Sequence, residues 1–316
     1  MNIIDGKRVN LDVASRDFKF YIFDWDDNIL HMPTRIYLEK KQPDGTWKPV
    51  SVSTSTFALV RSDEENYRMP SEGGRDAAFR DFQDAPAAQQ GDLAFIRDTR
   101  AALAKIKAGQ SPAPSFETLR KTLREGRIFA IVTARGHAPE TIREAVQIFI
   151  DEVLTQDERE EMLANLRGYR AVFDHVQEFG TDEEELDYFL SMCRYNAVTN
   201  PDFKEQMAGD ADFGSRLAEA PSEKKPELAK EFAIRDFVDH LFSTLKRAGG
   251  PGQSLVAVGF SDDDAGNVKA VSDYIAKELS RTYNGFKFVV YDTSDGPQDS
   301  SERKVTVAGQ MNLPGF

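Results

Sequence analysis

Four short, nearly unbroken apolar runs, Phe18 to Phe23, Arg127 to Val132, Leu255 to Phe260 and Phe286 to Tyr291, are each followed closely by a polar cluster. Their β-branched and aromatic density reads as strand, and a strand without polar alternation has no face to offer water. Such strands suit the interior of a parallel sheet covered on both sides by helices. Helical periodicity does lie between them, notably over Glu140 to Val153 and Glu227 to Leu245. The expected fold is therefore α/β, a Rossmann-like three-layer sandwich with a mainly parallel sheet. Ligands in that architecture bind beyond the carboxyl ends of the strands, so chemistry is expected in the residues after each run.

Between Leu30 and Arg127 the pattern is interrupted. Arg35 to Lys41, a turn at Gln42-Pro43-Asp44-Gly45, and Trp47 to Val60 read as a β-hairpin, because proline fixes one φ and glycine tolerates a positive one. Asp92 to Lys107 and Ser115 to Glu125 follow as helices, separated by Ser111-Pro112-Ala113-Pro114. A second stretch, Asp151 to Gly252, is acidic and mostly helical, with breaks near Gly180, Asn200-Pro201 and Pro221. The last stretch, Asp292 to Phe316, is rich in Ser, Asp, Gly and Pro and is expected to pack as a loop or fray.

Charge and cysteine content remove several classes. With 53 acidic and 40 basic side chains in 316 residues, the formal net charge is −13, and no Lys/Arg block interrupts it. Such a surface repels phosphate backbones and anionic lipid, which makes nucleic acid an unfavoured partner. The lone Cys193 cannot form an internal disulfide, and no His/Cys cluster has zinc spacing. A lone cysteine in a helical segment reads as a buried apolar filler. The first fifteen residues lack the charged and apolar regions of a secretory leader, and no run of about 18 apolar residues occurs, so a cytoplasmic location without a membrane partner is expected.

The first run ends Phe23-Asp24-Trp25-Asp26-Asp27-Asn28, three carboxylates where an apolar strand enters a turn. Like charges held this close raise one another's pKa unless a cation offsets them. A hard divalent ion such as magnesium answers that need, whereas an isolated Asp-x-Asp is commonly a solvated turn. The second run ends Val132-Thr133-Ala134-Arg135-Gly136-His137 before Pro139 and Glu140 open a helix. Thr133 with neighbouring amides, Ala134 included, could cradle a phosphate there, or could serve only as a cap. The third ends Gly259-Phe260-Ser261-Asp262-Asp263-Asp264, a second triple carboxylate. If the first and third strands are neighbours, Asp24, Asp26 and one or two of Asp262, Asp263 and Asp264 converge on one cation.

These residues resemble the haloacid dehalogenase superfamily of phosphohydrolases. Asp24-Trp25-Asp26 is similar to its first motif, Ile131-Val132-Thr133 to its second, and Phe260-Ser261-Asp262-Asp263 to its fourth, in matching order. The resemblance implies that Asp24 is the nucleophile and Asp26 the general acid and base. It implies that Thr133 holds phosphoryl oxygens and that Asp24, the Asp26 carbonyl, Asp262 and Asp263 hold Mg2+. A lysine at the start of a helix upstream of the fourth motif is also implied, with Lys224, Lys225 and Lys230 as candidates. Lys230 is favoured on spacing to Gly259, then Lys225. Asp27-Asn28 departs from the family's usual Gly and Thr, with Asn28 expected to hydrogen-bond the turn and Asp27 to be solvated, and Gly259-Phe260-Ser261 departs from a direct Gly-Asp.

The resemblance divides the chain into a core of residues 1–30, 127–150 and 254–295. Residues 31–126 then carry a β-hairpin flap and helices, 151–253 an acidic, helical cap-like insertion rejoining the core near 222–247, and 296–316 a tail. The implied activity is hydrolysis of a small-molecule phosphomonoester. His31, Arg35, Arg135 and His137 could meet substrate, although each also reads as a surface side chain. Other readings are a phosphomutase, a nucleic-acid end phosphatase, or a phosphate- or protein-binding module without turnover. The chain holds no Gly-x-x-x-x-Gly-Lys-Ser/Thr loop of a P-loop kinase.

Overall fold

In the computed structural model of the protein the residues described are 2–84, 93–174, 180–221, 224–249, 255–283, 285–294 and 304–308. Asp92, Ser222 and Glu223, and tail residues 296–303 and 309–316, lie outside them. The chain opens with a hairpin, β1 (Asn2–Ile4) and β2 (Lys7–Val9), and enters the main sheet at β3 (Phe18–Phe23). A smaller antiparallel sheet follows, built from β4 (Ile36–Lys41), β5 (Trp47–Val52) and β6 (Tyr67–Arg68). The main sheet resumes with β7 (Phe129–Thr133), β8 (Arg194–Ala197), β9 (Val256–Asp262), β10 (Phe286–Asp292) and β11 (Lys304–Ala308).

The order across that sheet is β11-β10-β9-β3-β7-β8. Neighbours are parallel from β10 to β8, and β11 adds an antiparallel edge. The tail expected as a loop thus supplies a strand at Lys304–Ala308. The stretch read as a helical insertion likewise supplies β8. Arg194 and Asn196 on β8 are half-buried while Tyr195 and Ala197 are buried, so an edge strand of four residues carries no unbroken apolar run.

Helices cover both faces, as a sheet of buried parallel strands requires. On one face lie α3 (Ala94–Lys107), α4 (Phe116–Arg124), α5 (Pro139–Val153), α6 (Gln156–Tyr169) and α7 (Asp182–Met192), packed on Phe23, Phe129, Ile131 and Tyr195. On the other lie α8 (Pro201–Gly209), α9 (Phe213–Glu219), α10 (Lys225–Arg247) and α11 (Ala265–Tyr274), packed on Phe20, Ile22, Val132, Val258 and Phe288. Successive strand residues point to opposite cores, and each fully buried Phe or Ile stabilises the fold by about 1.5–3 kcal/mol. Within β9, a Cβ at Gly259 would stand 3.0 Å from the Tyr21 ring and 3.1 Å from that of Tyr291. No described helix is long and apolar enough to cross a membrane.

The hairpin forms as expected, with Gly45 at φ 81° in its turn. Its second strand stops at Val52, however, and Ser53 caps a helix, α1 (Thr54–Val60), over the residues read as strand. A short helix, α2 (Gly74–Ala78), and a turn at Arg80–Phe82 follow. Ile36, Leu38 and Val52 pack with Phe57, Phe79 and Phe82 into a core of their own.

Candidate functional site

Parallel register brings the strand ends to one edge. Phe23 pairs with Ser261 on one side and Ile131 on the other, so Asp24 emerges beside Asp262 and level with Val132, one residue before Thr133. The ladder continues one step, from the Asp24 N–H to the Ser261 carbonyl at 3.0 Å. Carboxylate oxygens of Asp24, Asp262 and Asp263 all lie within 4.8 Å of one another. Lys230 reaches this group from α10 and donates to Asp262 Oδ2 at 2.6 Å and to Asp24 Oδ1 at 3.3 Å. It sits in line with Ile234, Phe237 and Leu241 on the buried stripe of the helix, where an apolar residue would ordinarily stand. Lys225, at the exposed helix start, and Lys224, paired with Glu227, stay outside the site.

One ammonium serves three carboxylates, and the titration of the group reflects the deficit. Burial, with Asp262, Asp263 and Asp26 adding to it, raises Asp24 well above the usual carboxylate range despite Lys230. Burial and the charge of Asp262 push Asp263 up to about 7. Burial alone would lower Lys230, yet Asp24 and Asp262 outweigh it and hold its ammonium above the ordinary value. Oxygen-only donors with an excess of negative charge fit a hard divalent cation. The Asp26 side chain is not part of this group, and its carbonyl accepts the Asn28 N–H at 2.6 Å.

Asp26 turns instead toward Arg135, which donates through Nη2 to Oδ1 at 2.6 Å and through Nε to Oδ2 at 2.8 Å. Thr133 Oγ1 lies 3.5 Å from the same Oδ2, at the outer limit of a hydrogen bond. Arg135 is 0% exposed, which overturns its reading as a surface side chain. Its guanidinium lies 4.5 Å from the Phe82 ring and 4.8 Å from the Phe95 ring, and it also donates to Thr34 Oγ1 at 2.8 Å. His137 is equally buried and stacks on Phe95. Arg135 Nη1, a donor only, stands 3.4 Å from His137 Nε2, so Nε2 accepts and Nδ1 carries the proton to Asp84 Oδ1 at 3.0 Å. Burial lowers the His137 pKa, which keeps that neutral tautomer.

Asp84 also accepts from the Ala138 N–H at 2.7 Å. The anion at the Ala138 amide, where α5 begins, is therefore this carboxylate. Thr133 is buried at the strand end, with Ala134 exposed beside it. Asn28 is a buried junction, donating to the carbonyls of Asp24 and Ser261 and accepting from Ser115 and Thr293. Asp27 is not simply solvated: at φ 52° it accepts from Thr54 Oγ1 at 2.6 Å and pairs with His31 at 3.0 Å. Asp264 caps α11 through the Gly266 and Asn267 amides, and Arg61 approaches it at 3.7 Å. The hairpin segment thus touches both acidic strand ends through Thr54 and Arg61. His31 and Arg35 are exposed on the same stretch. Cys193 is buried, its thiol pushed up to about 12, and plays no part here.

An apolar cavity lies at the opposite edge of the sheet, among Phe18, Phe20, Ile128, Tyr169, Phe189 and Leu245. Its one carboxylate, Glu185, is paired with Arg170, and it offers no converging acids. The chain matches no family model, no curated protein and no solved structure.

Sequence patterns did not point to Thr34, Phe82, Asp84 or Thr54 as neighbours of the site. They lie on the interrupting segment, and their only local signal is polar or aromatic character in otherwise loop-like sequence.

Proposed function

We propose that the protein is a magnesium-dependent phosphomonoester hydrolase of the haloacid dehalogenase type, acting in the cytoplasm on a small-molecule substrate. The observation that carries this reading is the meeting of Asp24, Asp262 and Asp263 around the buried Lys230 at the carboxyl edge of the sheet. Asp24, Asp262, Asp263 and the Asp26 carbonyl would hold Mg2+, which would supply charge that screens nucleophile from phosphate. Lys230 adds a fixed positive charge beside Asp24, and Thr133 offers a hydroxyl at the neighbouring strand end.

An Asp24 oxygen forms a bond to phosphorus while the P–O bond to the leaving group breaks, and Asp26 gives its proton to the departing alkoxide. Asp26 then takes a proton from water as that water's oxygen attacks phosphorus, the Asp24–phosphorus link breaks, and inorganic phosphate leaves. The hairpin and α1, tied to Asp27 and Asp264, act as a flap beside this edge. An acidic surface disfavours nucleic acid as substrate.

Hydrolysis of an aryl phosphate with magnesium and with chelator, beside an Asp24→Asn control, tests the reading. Metal-dependent turnover lost in the control is expected. Absence of turnover, combined with no calorimetric heat of magnesium binding, would refute it.

A further inference from the structure

We propose that Arg135 is the positioning residue of the acid–base step, its guanidinium fork fixing the Asp26 carboxylate beside Thr133 and leaving Oδ1 as the atom that exchanges the proton. The inference rests on the hydrolase reading above and concerns how Asp26 performs its part in it.

Three observations carry it. The fork is planar and engages both carboxylate oxygens, at 2.6 and 2.8 Å, so rotation of Asp26 about its side-chain bonds would break two charge-assisted bonds at once. Arg135 cannot itself turn away. Two phenylalanine rings enclose its guanidinium, Thr34 accepts from Nη2, and the neutral His137 accepts from Nη1. Behind these, Asp98 accepts from Thr34 at 2.7 Å, and Asp84 fixes the tautomer of His137. The guanidinium is therefore held at Nη1 and Nη2 by partners other than Asp26.

The third observation is the count of lone pairs. A carboxylate offers about four acceptor positions. Arg135 Nε takes one on Oδ2, Thr133 Oγ1 approaches the other at 3.5 Å, and Arg135 Nη2 takes one on Oδ1. The remaining position is on Oδ1. Arg135 has no exposed surface, so its part in the step is played through Asp26.

The chemistry predicts a selective defect. A leaving alkoxide needs a proton from Asp26, whereas a dinitrophenolate departs without one. Hydrolysis of the phosphoryl-Asp24 intermediate needs Asp26 as base for either substrate. With magnesium-loaded protein, Arg135→Lys is expected to lower kcat on glycerol phosphate by about 100-fold or more, the low end of general acid–base contributions, with KM nearly unchanged. On dinitrophenyl phosphate it should release one equivalent of phenol in a burst near the wild-type rate and then turn over slowly. Phe82→Leu keeps the arginine but removes one enclosing ring, and should show the same pattern at about 5-fold. It also decides the matter if Arg135→Lys does not fold.

Equal loss of the burst and of alkyl phosphate turnover in a folded variant would overturn the positioning role, as would an unchanged rate on glycerol phosphate. Failure of the wild-type protein to turn over either substrate is a different result, and it removes the hydrolase reading on which the role depends.

Discussion

Asp24→Asn should stabilise the protein in chelator while abolishing its response to magnesium. The oxygens of Asp24, Asp262 and Asp263 stand at most 4.8 Å apart. At an effective dielectric of about 20, each like-charge pair at that separation costs about 3.5 kcal/mol, so two pairs involving Asp24 cost about 7 kcal/mol. Lys230 at 3.3 Å returns about 5 kcal/mol, leaving about 2 kcal/mol of repulsion that asparagine removes. A proton on Asp24 relieves the same repulsion, which is why burial and the neighbouring acids hold this carboxyl well above its usual range. Because the folded state binds that proton more tightly than the unfolded chain, the penalty is absent in acid. It grows as pH rises above about 4 and is full only above the folded-state value. The gain should thus be larger at pH 8 than at pH 5. Thermal unfolding in chelator at pH 8 should show a rise of about 3–6 °C, extrapolated from the 2–4 °C per kcal/mol of somewhat smaller chains. Magnesium at about 100 times its Kd should stabilise the wild type by about 2.7 kcal/mol and the variant scarcely at all. A variant less stable than wild type in chelator, or one with an undiminished magnesium response, would refute the charge-deficit account.

Lys230→Met leaves two buried carboxylates and a half-buried third without their cation and should cost about 3–5 kcal/mol in urea unfolding, while Lys225→Ala at the exposed helix start should stay within about 0.5 kcal/mol. Asn28→Ala strips partners from Ser115, Thr293 and the Asp24 and Ser261 carbonyls, and should cost about 2–5 kcal/mol by the same assay. His137 is held neutral because burial lowers its pKa below the ordinary 6.5. The unfolded chain therefore takes up a proton first as pH falls, and stability should drop below about 6.5, by at most about 1.4 kcal/mol per pH unit from this group, until the buried ring is itself protonated. His137→Asn should flatten that part of the stability profile, and an unchanged slope would contradict the buried neutral tautomer.

The four apolar runs were legible because β3, β7, β9 and β10 are covered on both faces, and burial on both faces forbids polar alternation. β8 and β11 were not, since they form the two edges of the sheet, and their sequences alternate or fall in polar surroundings. The acidic ends were legible for a related reason, since carboxylates after a buried strand need partners. Only Asp24, Asp262 and Asp263 of the six converge, however, the others meeting Arg135, Thr54 with His31, and the α11 amides. Lys230 was reachable from spacing, and its place on the apolar stripe of α10 is a second signal for it. Arg135 and His137 were misread because charge after a strand usually means solvent. What buries them is Phe82, Phe95 and Asp84, which lie about 40 to 55 residues earlier in the chain with no periodicity linking the two. Asp27 was misread for the same reason, its partner Thr54 coming from a helix that the sequence presents as strand.

Two aspartates two residues apart end up in opposite electrostatic settings. Asp24 shares one ammonium with two other acids, so it carries excess negative charge that a divalent ion would neutralise. Asp26 has a guanidinium to itself and is not one of the three clustered acids. Different environments are how one site assigns different tasks to like groups. The division is set by which element each side chain meets: Asp24 faces β9 and α10, whereas Asp26 faces the loop after β7. On the proposed mechanism, moving the fork would therefore alter proton delivery without altering metal affinity, and removing Lys230 would perturb the acidic cluster while leaving Asp26 in place. A variant that changed both together would mean that the two settings are one, and that the roles of Asp24 and Asp26 are not separable in this fold.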